Sequence, residues 1–257
     1  MSTLITGASS GIGLEFAKIF ASKGNDLILV ARRKKNLLNL KKEIETEFKV
    51  SVKVFDLDLS IPNSPEILFA SLQKKKLKVE TLINNAGFGY FGEFLEKNLK
   101  IDEEMINLNI LALTKLTKLF AIEMSKLGGG KILNIGSTAG FQPGPLMATY
   151  FATKAYVNTF SEALAEEFRN SSITISVLCP GATESEFRIV AGTSSSRIFK
   201  NRKVPTSKAV AEFGYKILQK SKPIAIHGLM NKILIFSTRF TPRFMLTKVT
   251  KFLIKSR

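Results

Sequence analysis

The chain has 257 residues, with 38 lysines and arginines against 21 aspartates and glutamates, and a formal net charge of +17. This length suits one large α/β domain, and no linker indicates a second. The single cysteine, Cys179, and the single histidine, His227, exclude an internal disulfide and a cysteine- or histidine-rich metal centre. The chain has no nucleic-acid-binding signature, so the charge indicates phosphate-bearing cofactors, anionic lipid or acidic partners.

The start of the chain, MSTLITG, leads directly into a strand pattern, and we expect no signal peptide there. No apolar run approaches the roughly 18 residues that are needed to span a bilayer. The sequence therefore predicts a cytoplasmic protein, with peripheral attachment to a membrane surface as a further option.

Short apolar segments alternate with longer segments of helical periodicity. Several of the short segments are apolar on both faces, as in a parallel sheet that helices cover on each side. The alternation predicts an α/β fold, a doubly wound parallel sheet of Rossmann type over 1–227, with a basic helical extension over 228–257. A polar loop is predicted at 193–203. The predicted strands are 3–6, 26–31, 50–56, 81–84, 131–137, 173–179 and 223–228.

The octapeptide TGASSGIG, residues 6–13, follows the first predicted strand and opens the first predicted helix. Gly7, Gly11 and Gly13 permit a tight turn and a close approach of backbone to a ligand. Free N–H groups at the start of the helix then suit a pyrophosphate. Such a turn alone is weak evidence, but its position within a βαβ unit favours a dinucleotide.

This octapeptide resembles the phosphate loop of the short-chain dehydrogenase/reductase family, and the family's other motifs follow in order. NNAG at 84–87 closes the fourth predicted strand, Tyr150 and Lys154 form a Tyr-x-x-x-Lys pair, and PG at 180–181 follows the sixth strand. The resemblance covers about residues 1–190 and is greatest to bacterial ketoreductase-like members. It implies a Rossmann fold and hydride transfer between a nicotinamide and a carbonyl or secondary alcohol.

The resemblance implies a catalytic set of Asn109, Ser137, Tyr150 and Lys154. The spacing of Tyr150 and Lys154 places both on one helix face. A free tyrosine, with a pKa of about 10, is a poor acid near neutrality, and a nearby cation would lower that pKa. Ser137 would polarise the substrate carbonyl. Asn109, with Asn107 as its competitor, would hold a water that connects the lysine to solvent.

The residues after the second predicted strand bear on the choice of cofactor. An acid there would bind the adenosine ribose and favour NAD(H), whereas a cation favours the 2′-phosphate of NADP(H). Ala31 occupies that place and Arg32 and Arg33 follow, so NADP(H) is favoured over NAD(H). The alternative is a basic helix start on a basic protein. Because Ser10 stands where the family often has a cation, Arg32 must carry more of the preference.

The resemblance also supplies the remaining cofactor contacts. Asp58 and Leu59 would lie by the adenine, with Asp56 as a competitor, and Asn84 is expected to be structural. No metal site is expected. The full predicted cofactor set is Gly7, Ser9, Ser10, Gly11, Ile12, Gly13, Arg32, Arg33, Asp58, Leu59, Asn85, Ala86, Gly87, Tyr150, Lys154, Pro180, Gly181 and Thr183.

The leading functional hypothesis is an NADP(H)-dependent oxidoreductase that acts on a small carbonyl or alcohol substrate. A dinucleotide-binding sensor without turnover and a membrane-surface protein are the alternatives. The segments that should form the substrate pocket, 88–94, 138–148 and 182–205, do not identify the substrate. The family resemblance predicts a homodimer or homotetramer through helices at 102–126 and 147–169. The apolar residues assigned to that interface are Leu113, Leu116, Phe120, Phe160 and Leu164.

The C-terminal tail, 228–257, has its own pattern. No acidic residue follows Glu212, and lysines and arginines fill the gaps between apolar residues at helical spacing. Pro242 should divide the tail into two helices. These helices could pack on the domain with a solvated basic face, lie on an anionic bilayer, or cap the substrate pocket.

Overall fold

The computed structural model describes residues 2–193, 196 and 204–255, so most of the predicted loop at 193–203 lies outside the described residues. Within them, seven parallel strands form one sheet in the order β3-β2-β1-β4-β5-β6-β7. The predicted doubly wound sheet is confirmed. The strands are β1 Ser2–Thr6, β2 Asp26–Ala31, β3 Val52–Asp56, β4 Val79–Asn84, β5 Gly130–Ile135, β6 Ile173–Cys179 and β7 Ile224–Ile226.

Helices cover both faces of this sheet, because successive strand residues point to opposite sides. On β1 and β2, Ile5 and Leu29 face one hydrophobic cluster, while Leu4 and Ile28 face another. The helices are α1 Gly11–Ser22, α2 Lys34–Phe48, α3 Ser64–Lys74, α4 Leu99–Ile106, α5 Leu113–Lys126, α6 Ala148–Glu167, the short α7 Phe187–Val190, α8 Ser207–Gln219, α9 Leu229–Thr238 and α10 Arg243–Ile254. α1, α2 and α8 cover the first face, and α3, α5 and the end of α6 cover the second.

α4 and α5 join through a π-helical turn, Asn107–Ala112, into one helix over Leu99–Lys126. This helix is long and apolar enough to span a membrane, with a mean hydropathy of 1.4 over an 18-residue window, so the expectation that no segment meets that criterion is wrong. Half of that window is buried, and α5 packs on β4 and β5. A core helix of a soluble protein meets the same criterion.

Three of the five interface residues expected from the sequence occupy the core of the single chain instead. Leu113, Leu116 and Phe120 are each at most 5% exposed, and Leu164 packs against the same core as Leu116. Phe160 is half-buried against the cluster around Val157 and Cys179. For Leu113, Leu116 and Phe120 the assignment to a subunit interface is therefore wrong, because α5 needs a broad apolar stripe to cover β4, β5 and α3 together. For the half-buried Phe160 and Leu164 the assignment stays a prediction.

The tail forms the two predicted helices, α9 and α10, which Pro242 separates. α9 packs on the short 3₁₀ turn Thr138–Phe141, which follows β5. At the end of α10, Ile254 is buried in the hydrophobic cluster that contains Tyr150. The tail thus contacts the predicted catalytic region, and the domain division at residue 228 stays a prediction.

Candidate active site

The turn between β1 and α1 requires glycine for geometric reasons. Gly7 and Gly11 have φ angles of +67° and +57°, in the left-handed region that favours glycine. A Cβ atom on Gly7 would lie 2.8 Å from Nδ2 of Asn85, and one on Gly13 would collide with the carbonyl oxygen of Gly7. Glycine is therefore required at Gly7 and Gly13 because other atoms of the turn and the residues after β4 lie too close for a side chain.

Two side chains connect this turn to the carboxyl end of β4. The Thr6 hydroxyl accepts hydrogen bonds from the backbone N–H groups of Asn85 and Ala86, at 3.0 and 2.9 Å. The Asn85 amide donates to the carbonyl oxygens of Thr6 and Gly7, at 2.9 and 3.2 Å. Asn85 thus braces the turn, and its predicted contact with the ribose stays a prediction. Asn84 bonds to Thr117 and Asn134, which is the structural role expected of it.

The start of α1 fits a pyrophosphate. Ser10 makes no side-chain capping hydrogen bond there, and the first turn of the helix has no acidic residue. The backbone N–H groups of that turn and the helix dipole therefore favour an anion. A Cβ atom on Gly11 would meet nothing closer than 3.5 Å, so its left-handed backbone, rather than crowding, calls for glycine.

The two arginines after β2 have different surroundings. The Arg33 guanidinium donates to the hydroxyls of Ser9 and Ser10 and lies 2.8 Å from the Glu186 carboxylate. Arg32 is more exposed, at 62% of its side chain, and its nearest carboxylate oxygen, on Asp58, is 3.7 Å away. Arg32 is thus the cation with more freedom to bind a ligand, while Arg33 holds the glycine turn against the segment after β6.

The other predicted cofactor residues lie along the same edge of the sheet. Asp58 accepts hydrogen bonds from Ser60, and Asp56 pairs with Lys34 at 3.2 Å. Leu59 is buried in the core at 5% exposure. Pro180 and Gly181 directly follow β6, and the Thr183 hydroxyl, two residues farther on, donates to the Gly181 carbonyl. Ile12, Ala86 and Gly87 are half-buried.

The four predicted catalytic residues come together where β4 and β5 end. Each is at most 9% exposed. The Ser137 side chain lies close enough to the Tyr150 phenol to lower its pKa. The Lys154 ammonium donates to the Ile135 carbonyl at 2.7 Å. A Cβ atom on Gly87 would lie 2.9 Å from Oδ1 of Asn109 and 3.7 Å from Nζ of Lys154, so the backbone at this position passes close to both.

Asn109, rather than Asn107, lies against α6. Its side chain accepts a hydrogen bond from the Phe88 N–H and donates to the Phe88 carbonyl, at 3.1 and 2.9 Å. It also donates to the Thr153 hydroxyl at 3.0 Å. The π-helical turn that contains Asn109 is of a kind often found at functional sites. Asn107 is partly exposed.

Burial dominates the protonation equilibria of Tyr150 and Lys154. It raises the pKa of the Tyr150 phenol to about 12, against a smaller lowering by the Ser137 side chain. It lowers the pKa of the Lys154 ammonium to about 8. Lys154 is not among the causes of the Tyr150 shift, so the expected lowering of the phenol pKa by Lys154 is not seen in this structure. Near neutral pH the phenol is a proton donor, and the lysine is mostly charged.

Sequence reasoning missed Asn158, which positions Ser137. Asn158 is 2% exposed, and its carboxamide bonds to both the backbone N–H and the carbonyl of Ser137. A Cβ atom on Gly136 or Gly140 would collide with this carboxamide. The available signal was its spacing of four residues from Lys154, which places a polar side chain on the face of α6 that carries Tyr150 and Lys154.

One wall beside the Tyr150 ring is apolar. The ring centroids of Phe187 and Phe151 lie 5.2 and 6.1 Å from that of Tyr150. All three segments predicted to build the pocket contribute to this wall, and α10 adds a residue. The members of the cluster with Tyr150 are Phe88, Tyr90, Phe91, Ile101, Met105, Ala139, Leu146, Met147, Phe151, Phe187, Ala191 and Ile254.

Several known proteins are similar to this chain in sequence or fold. The family profile described as short chain dehydrogenase matches residues 2–194. The very-long-chain 3-oxoacyl-CoA reductases of Rattus norvegicus and Kluyveromyces lactis are 32% and 36% identical over 69% and 68% of this chain. The matched part is 57% and 53% of their length, so the chain spans little more than half of these relatives. A short-chain dehydrogenase from Sphingobium yanoikuyae, solved in complex with NADPH, is 33% identical, with a TM-score of 0.82 over 93% of both chains.

Proposed function

Because the chain belongs to the short-chain dehydrogenase family, we propose that it is an NADP(H)-dependent oxidoreductase acting on a carbonyl or a secondary alcohol. The observation that carries this proposal is the buried group of Ser137, Tyr150 and Lys154 beside the glycine turn. A protein that only senses a dinucleotide has no need of a buried phenol beside a serine and a lysine.

The chain's own residues fit NADP(H). The glycine turn and the start of α1 would hold the pyrophosphate, and Arg32 would bind the 2′-phosphate. The dinucleotide supplies the hydride when it is bound. Two observations support this cofactor: the exposed guanidinium of Arg32 and the NADPH bound to the Sphingobium yanoikuyae relative.

Carbonyl reduction also requires one proton, which we assign to Tyr150. The Ser137 hydroxyl would donate a hydrogen bond to the substrate oxygen and fix its position. As the carbonyl carbon gains a hydride, its oxygen becomes a stronger base than a phenolate and takes the Tyr150 proton. The charged Lys154 would stabilise the remaining phenolate. A phenol with a raised pKa keeps its proton until an alkoxide forms.

The substrate we propose carries its carbonyl on an apolar chain, and a 3-oxoacyl thioester is the leading candidate. Two observations support this class. The wall beside Tyr150 is built from aromatic and aliphatic side chains, including Phe151 and Phe187. The relatives from Rattus norvegicus and Kluyveromyces lactis are named very-long-chain 3-oxoacyl-CoA reductases.

The test is NADPH oxidation, followed by absorbance, with 3-oxoacyl thioesters of increasing chain length beside small polar ketones and steroids. We expect kcat/KM to rise with acyl length, because each buried methylene contributes about 0.8 kcal/mol. Tyr150→Phe should bind NADPH and turn over no substrate. NADPH binding by the wild type without oxidation by any carbonyl would support the sensor hypothesis instead.

We also propose a homodimer, through the outer faces of α5 and α6. Ile122 and Tyr156 are 46% and 37% exposed on these helices, and Leu111 in the preceding π-helical turn is 44% exposed. The Tyr156 ring stacks on Phe160, which presents a flat apolar surface. A monomer by light scattering at micromolar concentration would contradict this assembly.

A further inference from the structure

The outer surface of α9 and α10 is apolar to an unusual degree. Single exposed apolar residues are common on soluble proteins, but a contiguous group marks an interaction surface. Here nine large apolar side chains within 229–249 are each 47% to 75% exposed. These residues, which we call the tail patch, are Leu229, Met230, Ile233, Leu234, Phe236, Phe240, Phe244, Met245 and Val249.

The opposite side of the two helices is fixed to the domain. Asn231 donates to the His227 carbonyl at 2.7 Å and lies so near Gly181 that a Cβ atom there would be 2.5 Å from it. Thr250 and Ile254 are 3% and 1% exposed. Since polar and apolar contacts hold one face of the two helices on the domain, the exposure of the tail patch does not result from loose attachment of the segment. When α9 and α10 pack on the domain in this way, the tail patch faces away from it.

Cations accompany the tail patch, and no acidic residue follows Glu212 in the chain. The Lys248 ammonium lies 5.9 Å from the centre of the Phe244 ring, so charged and apolar groups are interleaved. The exposed cations of the described tail are Lys232, Arg239, Arg243, Lys248, Lys251 and Lys255.

This charge distribution decides between two occupants. A two-fold contact would place the same surface of a second copy against itself, with cations facing cations. An anionic lipid bilayer instead offers headgroup charge to the lysines and arginines and an acyl boundary to the phenylalanines. We propose that α9 and α10 attach this protein to the surface of an anionic bilayer through the tail patch. The attachment does not depend on the proposed activity, although Ile254 places α10 at the apolar wall beside Tyr150.

The test is flotation of the full chain with two vesicle types, phosphatidylcholine alone and an equal mixture of phosphatidylcholine and phosphatidylglycerol. We expect binding to the mixed vesicles that weakens as salt is added, and little binding to phosphatidylcholine. Surface substitutions are preferable to truncation, since removal of α10 would also remove the buried Ile254.

Two pairs of variants carry the test. Phe240→Ser with Phe244→Ser removes side chains that are 75% and 65% exposed, and should weaken binding by about tenfold or more. Its control, Phe94→Ser with Leu95→Ser, removes side chains that are 66% and 95% exposed outside the tail and should bind as the wild type does.

The second pair changes charge alone. Lys248→Glu with Lys251→Glu should abolish the preference for phosphatidylglycerol, whereas Lys74→Glu with Lys75→Glu, the same charge change outside the tail, should retain most of it. Equal flotation with both vesicle types, or wild-type binding by the tail variants, would overturn the proposal. So would a tail variant that converts a dimer to a monomer while its vesicle binding is unchanged, because the tail patch would then contact a second copy.

Discussion

Replacing Asn158 with alanine tests how Ser137, the predicted catalytic serine, is held. The Asn158 carboxamide accepts the Ser137 N–H at 3.3 Å and donates to the Ser137 carbonyl at 3.0 Å. Its Oδ1 also accepts a weak hydrogen bond from the Cys179 thiol at 3.4 Å. Asn158→Ala leaves the buried Ser137 N–H unpaired, at about 1 to 3 kcal/mol, and removes one of the two hydrogen bonds to the Ser137 carbonyl, which still accepts from the Gly140 N–H, at about 1 kcal/mol. Because the vacated space can admit water, we expect a loss of about 2 to 4 kcal/mol in the free energy of unfolding.

The same change should reduce catalysis beyond its effect on stability. In the proposed mechanism the Ser137 hydroxyl donates to the substrate oxygen, and a displacement of about 1 Å can cost about a hundredfold in rate. We expect kcat to fall by about ten- to a hundredfold, with the KM for NADPH nearly unchanged, because the glycine turn does not touch Asn158.

Urea denaturation and steady-state NADPH oxidation, measured under conditions where both proteins are folded, separate these effects. Asn134→Ala is the matched control. Asn134 is 0% exposed and bonds to Asn84 and Ser161, each at 2.9 Å, without touching Ser137. The control should lose similar stability and keep its turnover. If Asn158→Ala lost stability but kept wild-type kcat, the assignment of a positioning role would be wrong.

Three further predictions concern the site itself. Tyr150→Phe should lower kcat by at least about a hundredfold while the Kd for NADPH, measured by fluorescence, is unchanged. Arg32→Ala should raise the Kd for NADPH far more than that for NADH, and equal losses would indicate a folding effect instead. In the reductive direction, kcat/KM should fall above about pH 8, where the buried Lys154 ammonium loses its proton. Lys154→Arg should move that fall to higher pH, since a guanidinium stays charged; an unchanged pH profile would exclude Lys154 as the titrating group.

Burial of Lys154 also determines whether the free energy of unfolding rises or falls with pH. Its folded pKa, about 8, lies below the ordinary 10.5, so between those values the unfolded chain binds more protons than the folded one. This group therefore adds stability as pH rises from about 8 to 10.5. Tyr150 acts oppositely above pH 10, because its folded pKa of about 12 is raised and the folded chain then holds the extra proton.

The fold was predictable because local patterns and tertiary packing agree. The alternation of Leu4 with Ile5 and of Ile28 with Leu29 serves two separate clusters, one on each face of the sheet. Hydrophobic periodicity could not distinguish residues of the chain's own core from residues of a subunit interface. Leu116 and Phe120 are regular stripe residues of α5, and no local pattern tells whether β4, α3 or a second subunit covers such a stripe.

In the candidate site, too, some pairings of residues follow from local sequence spacing and others depend on the tertiary fold. Tyr150 and Lys154 are four residues apart, so helix geometry alone pairs them. Asn158 acts on Ser137, which is 21 residues away in sequence. Arg33 and Glu186 lie farther apart still, on the segments after β2 and β6. Such pairings depend on the order of the strands in the sheet. Local sequence patterns do not indicate that order unless the fold is already known.

The adjacent arginines show why position in the fold, rather than residue type, determines which cation binds a phosphate. Burial raises the pKa of the Glu186 carboxyl, but hydrogen bonds from Arg33 and Ser10 hold it below its usual range. A phosphate that approached Arg33 would have to displace this carboxylate and two serine hydroxyls from the same guanidinium. Arg32 has only a distant carboxylate, at 3.7 Å from its Nη1, and its fork is open to solvent. The 2′-phosphate should therefore bind at Arg32, while Arg33 keeps the glycine turn at the spacing that the pyrophosphate requires.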